Sequence, residues 1–560
     1  MSSLRRLPVA LSLFALPFLL SAQQLAPSDE LVDKIVAEEQ AEIHLLRQFS
    51  PLVETYIQYL HLDKQATVVP DGDKYFLGRA RLADGVHLEL LEYDPGLKMK
   101  LSEDWREFVN ISFVPGGFLQ MIYVDTSGFD RQHYRFEYVR REFLGEVRCL
   151  VFDVTPLRQS DKGRFTGRIW VEDQDYHIVR FNGAYGHSSD VSNYFNFDSW
   201  RTNSGANFWL PAFVYTEQGN PRDPQAKRFS YRAFRAQTRL WGYHLAATGQ
   251  EQELSKMTVE GTSINDQTQT ADDYSPFQSE YAWEHQAESN VVNYLEHHGL
   301  LAPPGEVDKV LNTVVNNLEV TNHLDLQPEV QCRVLMTVTL ETFSVGHTIV
   351  VSRGLLDVLP DEASLAAILA LELSHIVLGH GSNTQFAFHN KLQFQEKDTF
   401  RHMGFTRTNV EDQAAQYKAS DLLLNSPYSE KCRSARLFIL ALQQHSKELP
   451  NLVSPRLGDK IPASWTIIVR SSAPPGAMSP AETVAALPLG GRVKIDPWSD
   501  QLQFAKNRPQ PPTSDAANLA FRITPFDLYL TRQPTNSAMP PAGVATNFGA
   551  KTILVFPPGF

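Results

Sequence analysis

The stretch from Val345 to Ser382, VGHTIVVSRGLLDVLPDEASLAAILALELSHIVLGHGS, constrains this chain more than any other. A β-type run, His347–Ser352, leads into a helical turn at Gly354-Leu355-Leu356. Asp361 can accept hydrogen bonds from the first free amides of a following helix, and Gly379 can end that helix in a left-handed turn. Between these caps Ser364, Ala367, Ile368, Leu371, Glu372 and His375 recur at helical spacing. Leu365, Ile368, Leu369, Ile376 and Val377 form an apolar face that belongs in a core. A glutamate and a histidine are therefore carried on a helix that packs into protein.

A chain of 560 residues is too long for one core, so several domains are expected. Residues 28–60 read as helix, with Ser28 as cap, Asp29 and Glu30 in the first turn, and Leu31, Ile35, Leu45 and Phe49 at helical spacing around the break at Pro51. From about Thr67 to Leu245 short β-type runs alternate with turn residues. In Gly167–Gly183, GRIWVEDQDYHIVRFNG, two such runs flank Asp173-Gln174-Asp175, a hairpin signal, and Phe229 and Tyr231 alternate with Ser230 and Arg232 as in a strand with one wet face. One large antiparallel sheet or an open barrel follows. Residues 246–286 turn polar and lose periodicity, as a linker does, and helical patterns return over 287–447 around a strand pair near Val330–Val351. Residues 448–560 form a tail of short strands and Pro-rich loops, with a turn leading into a strand at Gly490–Asp500. The expected class is multidomain α+β: an antiparallel β domain within 28–245, a mainly helical domain at 287–447 and an extended tail.

Arg5 and Arg6 precede the apolar run Val9–Leu20, and Ser21-Ala22 offers small residues for cleavage, the layout of a signal peptide over residues 1–22. The run is short for a membrane span of about 20 residues and contains Pro17. No later stretch is long and apolar enough to cross a bilayer. The expectation is an exported protein, periplasmic or extracellular, at most loosely attached to a membrane. Lys+Arg of 51 against 64 Asp+Glu gives −13, and removal of the two arginines of the leader makes it −15; an acidic chain without a basic stripe is not expected to bind nucleic acid. Three cysteines are too few for a disulfide framework; in an oxidising compartment Cys332 and Cys432 either pair or stay apart, and Cys149 suits a small buried position.

Strand, short helix and an apolar helix bearing Glu372 and His375 resemble the gluzincin metallopeptidases of the CAAX prenyl protease and HtpX type. Downstream, Asp412, Ala415, Ala419, Leu422 and Leu423 are similar to that family's second ligand-bearing helix. The resemblance implies a zincin-like domain over 287–447, zinc as cofactor, and polypeptide as substrate or client. In His-Glu-x-x-His, two histidines four residues apart lie about 40° apart around a helix, so both imidazoles reach one ion at about 2.0–2.1 Å. The glutamate acts as general base and a carboxylate from a later helix is the third ligand. The strand beside this helix pairs with extended substrate in such enzymes, which implies substrate contact at Gly346, His347, Thr348 and Ile349.

Here the motif reads Leu371-Glu372-Leu373-Ser374-His375. Leucine has no lone pair, so the first ligand is missing while the base Glu372 and the ligand His375 remain. The third ligand falls on Asp412, with Gln416 in the supporting position, or, one residue earlier, on Glu411. Neither register supplies the supporting aspartate, a loss that by itself weakens metal affinity or activity about 10–100-fold. His347 is open as a replacement ligand or as a cleft-wall residue; His380, about 140° around an ideal helix from His375, is expected to face elsewhere. His375 itself reads as ligand or as a hydrogen-bonded core histidine, and Glu372 as base or as a carboxylate whose pKa is raised by burial.

Three functions follow as expectations: a peptidase-fold protein with turnover lost or impaired and the groove kept, a zinc endopeptidase with an altered ligand set, and a carrier of lipid or apolar cargo. The last rests on a resemblance of the β region, through its strand rhythm and the Gly167–Gly183 hairpin, to LolA/LolB-type half-barrels.

Overall fold

The computed structural model describes residues 29–62, 64, 68–83, 85–91, 117–158, 163–186, 196–204, 208–218, 233–243, 276–384, 387, 396–459 and 461, with short pieces at 493–496, 501–504, 523 and 528–532. Residues 1–22, expected as a leader, most of the stretch expected as a linker, Phe229 and Tyr231, and most of the tail lie outside these residues. No helix among the described residues is long and apolar enough to cross a membrane.

The chain opens with α1 (Asp29–Leu46) and enters β1 (Leu52–Leu62) directly after Pro51. The helical reading of 28–60 is therefore correct only for its first part. β1 has nine consecutive buried residues, so both of its faces lie inside and the two-residue alternation that marks a half-wet strand is missing. Nine further strands complete one sheet: β2 (Val68–Arg81), β3 (His87–Leu90), β4 (Tyr134–Leu144), β5 (Val147–Pro156), β6 (Phe165–Glu172), β7 (Ile178–Tyr185), β8 (Asn196–Asn203), β9 (Trp209–Gln218) and β10 (Ala233–Trp241). Their order is β3-β2-β1-β10-β9-β8-β7-β6-β5-β4, so β1 pairs with the last strand while β3 and β4 remain as edges. All neighbours are antiparallel, and β6 and β7 form the hairpin expected around Asp173-Gln174-Asp175. The sheet is large and open, not a closed barrel.

Both faces of the sheet are covered. On one, Val32, Ile35, Ile43 and Leu46 of α1 and Phe118, Leu119 and Ile122 of the 3-10 turn Gly117–Ile122 share a core with Ile57, Phe152, Phe181, Phe197 and Phe234. Arg201 of β8 is wholly buried there and donates to both carboxylate oxygens of Glu39 on α1, at 2.6 and 2.8 Å.

On the other face, Tyr56, Trp200, Trp209, Tyr215 and Trp241 pack in one core with the C-terminal domain. Polar groups fix the register between the two. The Arg239 guanidinium donates to the Met336 carbonyl at 2.8 Å, and Glu54 accepts from the Val338 amide at 2.7 Å. Asp73 accepts from the amides of Asn451 and Leu452 at 2.9 and 2.7 Å.

The C-terminal domain begins with α2 (Pro276–His297), which starts inside the stretch read as linker, and α3 (Glu306–Thr321). A three-stranded sheet of β11 (Gln331–Leu335), β12 (Thr342–Val345) and β13 (Thr348–Ser352) follows, in the order β11-β13-β12. Then come α4 (Arg353–Val358), α5 (Glu362–Val377), α6 (Glu396–His402), α7 (Asn409–Leu424), α8 (Cys432–His445) and α9 (Pro450–Val453). Cys332, on β11, is a free, buried thiol, so the disulfide alternative is set aside. Of the tail, β14 (Val493–Asp496) pairs with β15 (Gln501–Phe504), and the Glu146 amide of the sheet domain donates to the Leu530 carbonyl at 2.8 Å.

Candidate metal centre

α5 is the axis of the site. Asp361 caps it as the sequence implies, its Oδ1 accepting from the Ser364 amide at 2.8 Å and the Ser364 hydroxyl at 2.7 Å. Every residue from Ala363 to His375 is buried, so the helix is enclosed on all sides. Asp361→Ala is expected to cost about 1 kcal/mol, read as a lowered urea midpoint.

Leu371 lies in the core at 3% exposure and offers the site nothing but carbon. Glu372, the next residue, and His375, one turn further, are buried, and His375 faces α7, whose Ala415, Ala419, Leu422 and Leu423 face the core. This packing brings Asp412 Oδ1 to 3.8 Å from His375 Nε2. Glu411 is turned to another task. Its carboxylate accepts from the Thr408 amide at 2.9 Å and the Thr408 hydroxyl at 2.7 Å, closing a capping box on α7. Gln416, one turn after Asp412, is buried.

Two residues that the sequence did not single out complete the surroundings. Asp459 follows α9 and enters beside β12, where its amide donates to the Thr342 carbonyl at 3.2 Å. His375, Asp412 and Asp459 each present one ligand atom, all within 4.8 Å of one another. Arg407 donates through its main-chain amide to Asp459 Oδ1 at 2.6 Å, and its guanidinium donates to the Ser344 carbonyl at 3.0 Å and to the Gly381 carbonyl. Neither residue leaves a local signature, because both act from irregular segments.

The placement of His380 overturns the expectation from helical geometry. α5 ends at Val377, and Gly379, at φ +67°, reverses the chain. The His380 ring comes back against His375, with 2.9 Å between the two Nδ1 atoms. His347 sits in the tight turn between β12 and β13, its ring 5.9 Å from that of His285 and outside the three-donor cluster. Thr348 and Ile349 belong to β13, which is hydrogen-bonded on both sides. β12 is an edge strand, and its outer carbonyls are already engaged: that of Thr342 by Asp459, that of Ser344 by Arg407 and by the Ser382 hydroxyl at 3.2 Å.

Burial dominates the electrostatics. It pushes the Glu372 carboxyl up to about 8, with Asp459 adding to the shift and Arg407 opposing it. Neither Glu372 oxygen makes a hydrogen bond of good geometry, although the Ser344 hydroxyl lies close enough to ease the charged form slightly. Burial, Arg407 and His380 bring His375 down to about 3, so its imidazole is neutral and its contact with Asp412 is not an ion pair. Asp459 is raised to about 6 by burial, and Asp412 is raised as well. A neutral imidazole and two carboxylates, all short of solvation, form a donor set that a divalent cation satisfies.

Residues 323–432 match peptidase family M48. The match supports a metallopeptidase family for this part of the chain, for which zinc is the expected metal. The M48 segment takes in Leu371, Glu372, His375, Arg407, Glu411 and Asp412 and ends before Asp459. No curated protein matches the chain. Among solved structures, a DUF1329 family protein from Desulfovibrio piger is 11% identical, with a TM-score of 0.20, over 40% of this chain and 94% of its own. A LolA superfamily protein from Nitrosomonas europaea is 10% identical, with a TM-score of 0.20, over 38% of this chain and 93% of its own.

Proposed function

We propose that this protein is an exported member of the M48 metallopeptidases that binds polypeptide at its cleft and hydrolyses it poorly or not at all. The observation that carries the reading is Leu371, a buried aliphatic side chain at the position of the first histidine ligand, in a site that otherwise keeps Glu372, His375 and Asp412 together. The residues present fit a divalent ion, since buried carboxylate oxygens of Glu372 and Asp459 lack hydrogen-bond partners and His375 is neutral. Zinc, when bound, supplies Lewis-acid activation of water and of the scissile carbonyl. His375 and Asp412 would hold it. Glu372 stands where a proton acceptor is needed, and Arg407 presents positive charge between the helix and β12.

Polypeptide would meet the cleft along β12 and the turn at Gly346 and His347. An extended peptide pairing there has to take the Ser344 carbonyl from Arg407 and Ser382, a competition that opposes rapid turnover.

The test is hydrolysis of unfolded casein by full-length protein supplied with zinc, beside the Glu372→Gln variant. Equal, background-level cleavage by the two is expected. Zinc-dependent cleavage that Glu372→Gln abolishes would show a working peptidase and end the impaired reading.

A further inference from the structure

We infer that Asp459 supplies the ligand that Leu371 cannot, so that the metal of this site is held by His375, Asp412 and Asp459, with His380 orienting His375. The inference rests on the metal-binding reading above and extends it to Asp459, which lies outside the M48 segment.

Asp459 is held like a ligand rather than a surface acid. Its residue is 6% exposed, and one oxygen, Oδ1, accepts from the Arg407 amide while the other, Oδ2, is buried with no hydrogen-bond partner. Leaving a buried carboxylate oxygen unpaired is costly unless something else satisfies it. The main chain leading into it is anchored by two partners. Glu341 accepts from the amides of Arg456 and Leu457 at 2.8 Å each, and the Leu457 carbonyl accepts from the Phe405 amide at 2.7 Å. Beside it Glu372 is wholly buried with both oxygens unpartnered. The ligand atom of Asp459 lies within 4.8 Å of those of His375 and Asp412, with the Glu372 carboxyl close enough to feel both aspartates.

Arg407 does not fill that need through hydrogen bonds: its two terminal NH groups donate to the Gly381 and Ser344 carbonyls, and its buried Nε–H makes none. The His375–His380 contact adds a second requirement of a metal site. When His375 Nδ1 carries the proton and donates it to His380 Nδ1, the Nε2 lone pair faces Asp412. Metal-bound histidines are held by such an acceptor on the opposite ring nitrogen. One imidazole nitrogen and two carboxylates suit borderline to hard divalent ions such as zinc, cobalt or manganese.

Binding of Zn²⁺ to the full-length, chelator-dialysed protein, followed by calorimetry, tests this without reference to activity. Asp459→Asn keeps the acceptor for Arg407 and removes the charge, and is expected to lower zinc affinity by at least about 100-fold, the upper range for lesser losses around a metal. Asp421→Asn, on the exposed face of α7, is expected to leave it unchanged. Unchanged affinity in Asp459→Asn would refute the assignment and leave the metal reading standing; no binding by the unmodified protein would refute both. Should Asp459→Asn fail to fold, X-ray absorption of the cobalt-loaded, unmodified protein decides the matter. A shell with one imidazole and otherwise oxygen supports the assignment, and one with two or more imidazoles overturns it.

Discussion

Leu371→His is expected to raise zinc affinity by about 100-fold or more, measured by competition with a chelator. An imidazole at 371 stands four residues before His375 on the same helix face, within reach of the same ion. The comparison that sets the scale is the loss of supporting residues around a metal, which costs about 10–100-fold; a direct ligand outweighs it. Recovered affinity need not bring recovered hydrolysis. With Asp459 as a ligand, histidines at 371 and 375 together with Asp412 and Asp459 make four protein donors, the closed arrangement of a structural zinc site. Combining Leu371→His with Asp459→Asn reopens one position, so the double variant is the one expected to cleave casein. If Leu371→His binds zinc no better than the unmodified chain, the motif register is wrong.

The parts of this site that could be read in the sequence are those whose geometry is local. Asp361 as cap and Glu372 with His375 on one helix follow from a 3.6-residue repeat, and the Asp173-Gln174-Asp175 hairpin follows from its turn residues. The choice between Asp412 and Glu411 was open because both precede the same apolar positions. Tertiary packing separates them, since one meets His375 while the other is drawn into a capping box with Thr408. An ideal helix extended past Val377 misplaces His380, because one left-handed residue, Gly379, reverses the chain. Asp459 lies 84 positions after His375 on irregular backbone, where no periodicity operates.

The same limit explains the opening of the sheet domain. β1 carries Glu54, Thr55 and Gln58 among apolar residues, all buried, because both faces of the sheet are covered and the polar groups find partners across it. Thr55 and Thr238 share a hydrogen bond of 2.8 Å between neighbouring strands, and Glu54 reaches the Val338 amide of the other domain. A strand buried on both sides loses the alternation that distinguishes it from a helix. Its polar residues gain a further role here, since the Glu54 and Arg239 contacts hold the Met336–Val338 segment that leads into β12.

The largest stability effect is expected at the pair that fastens α1 to the sheet. Glu39→Ala removes the carboxylate that pairs with Arg201, whose remaining bonds are to the Ile178 and Ile122 carbonyls at 3.3 and 3.4 Å. Both side chains are fully buried, and breaking one half of such a pair costs about 3–5 kcal/mol because a charge is left without its counterion. Urea unfolding followed by tryptophan fluorescence should show it, as Trp200 and Trp209 lie in the adjoining strands. Removing both charges separates this cause from simple loss of packing: Glu39→Leu with Arg201→Leu is expected to recover most of the loss, since well-packed apolar replacements of buried pairs are often neutral. A double variant as unstable as Glu39→Ala would mean that shape, not charge, holds α1 in place. In that case α1 is a packed cover of the sheet, and its ion pair contributes register rather than strength.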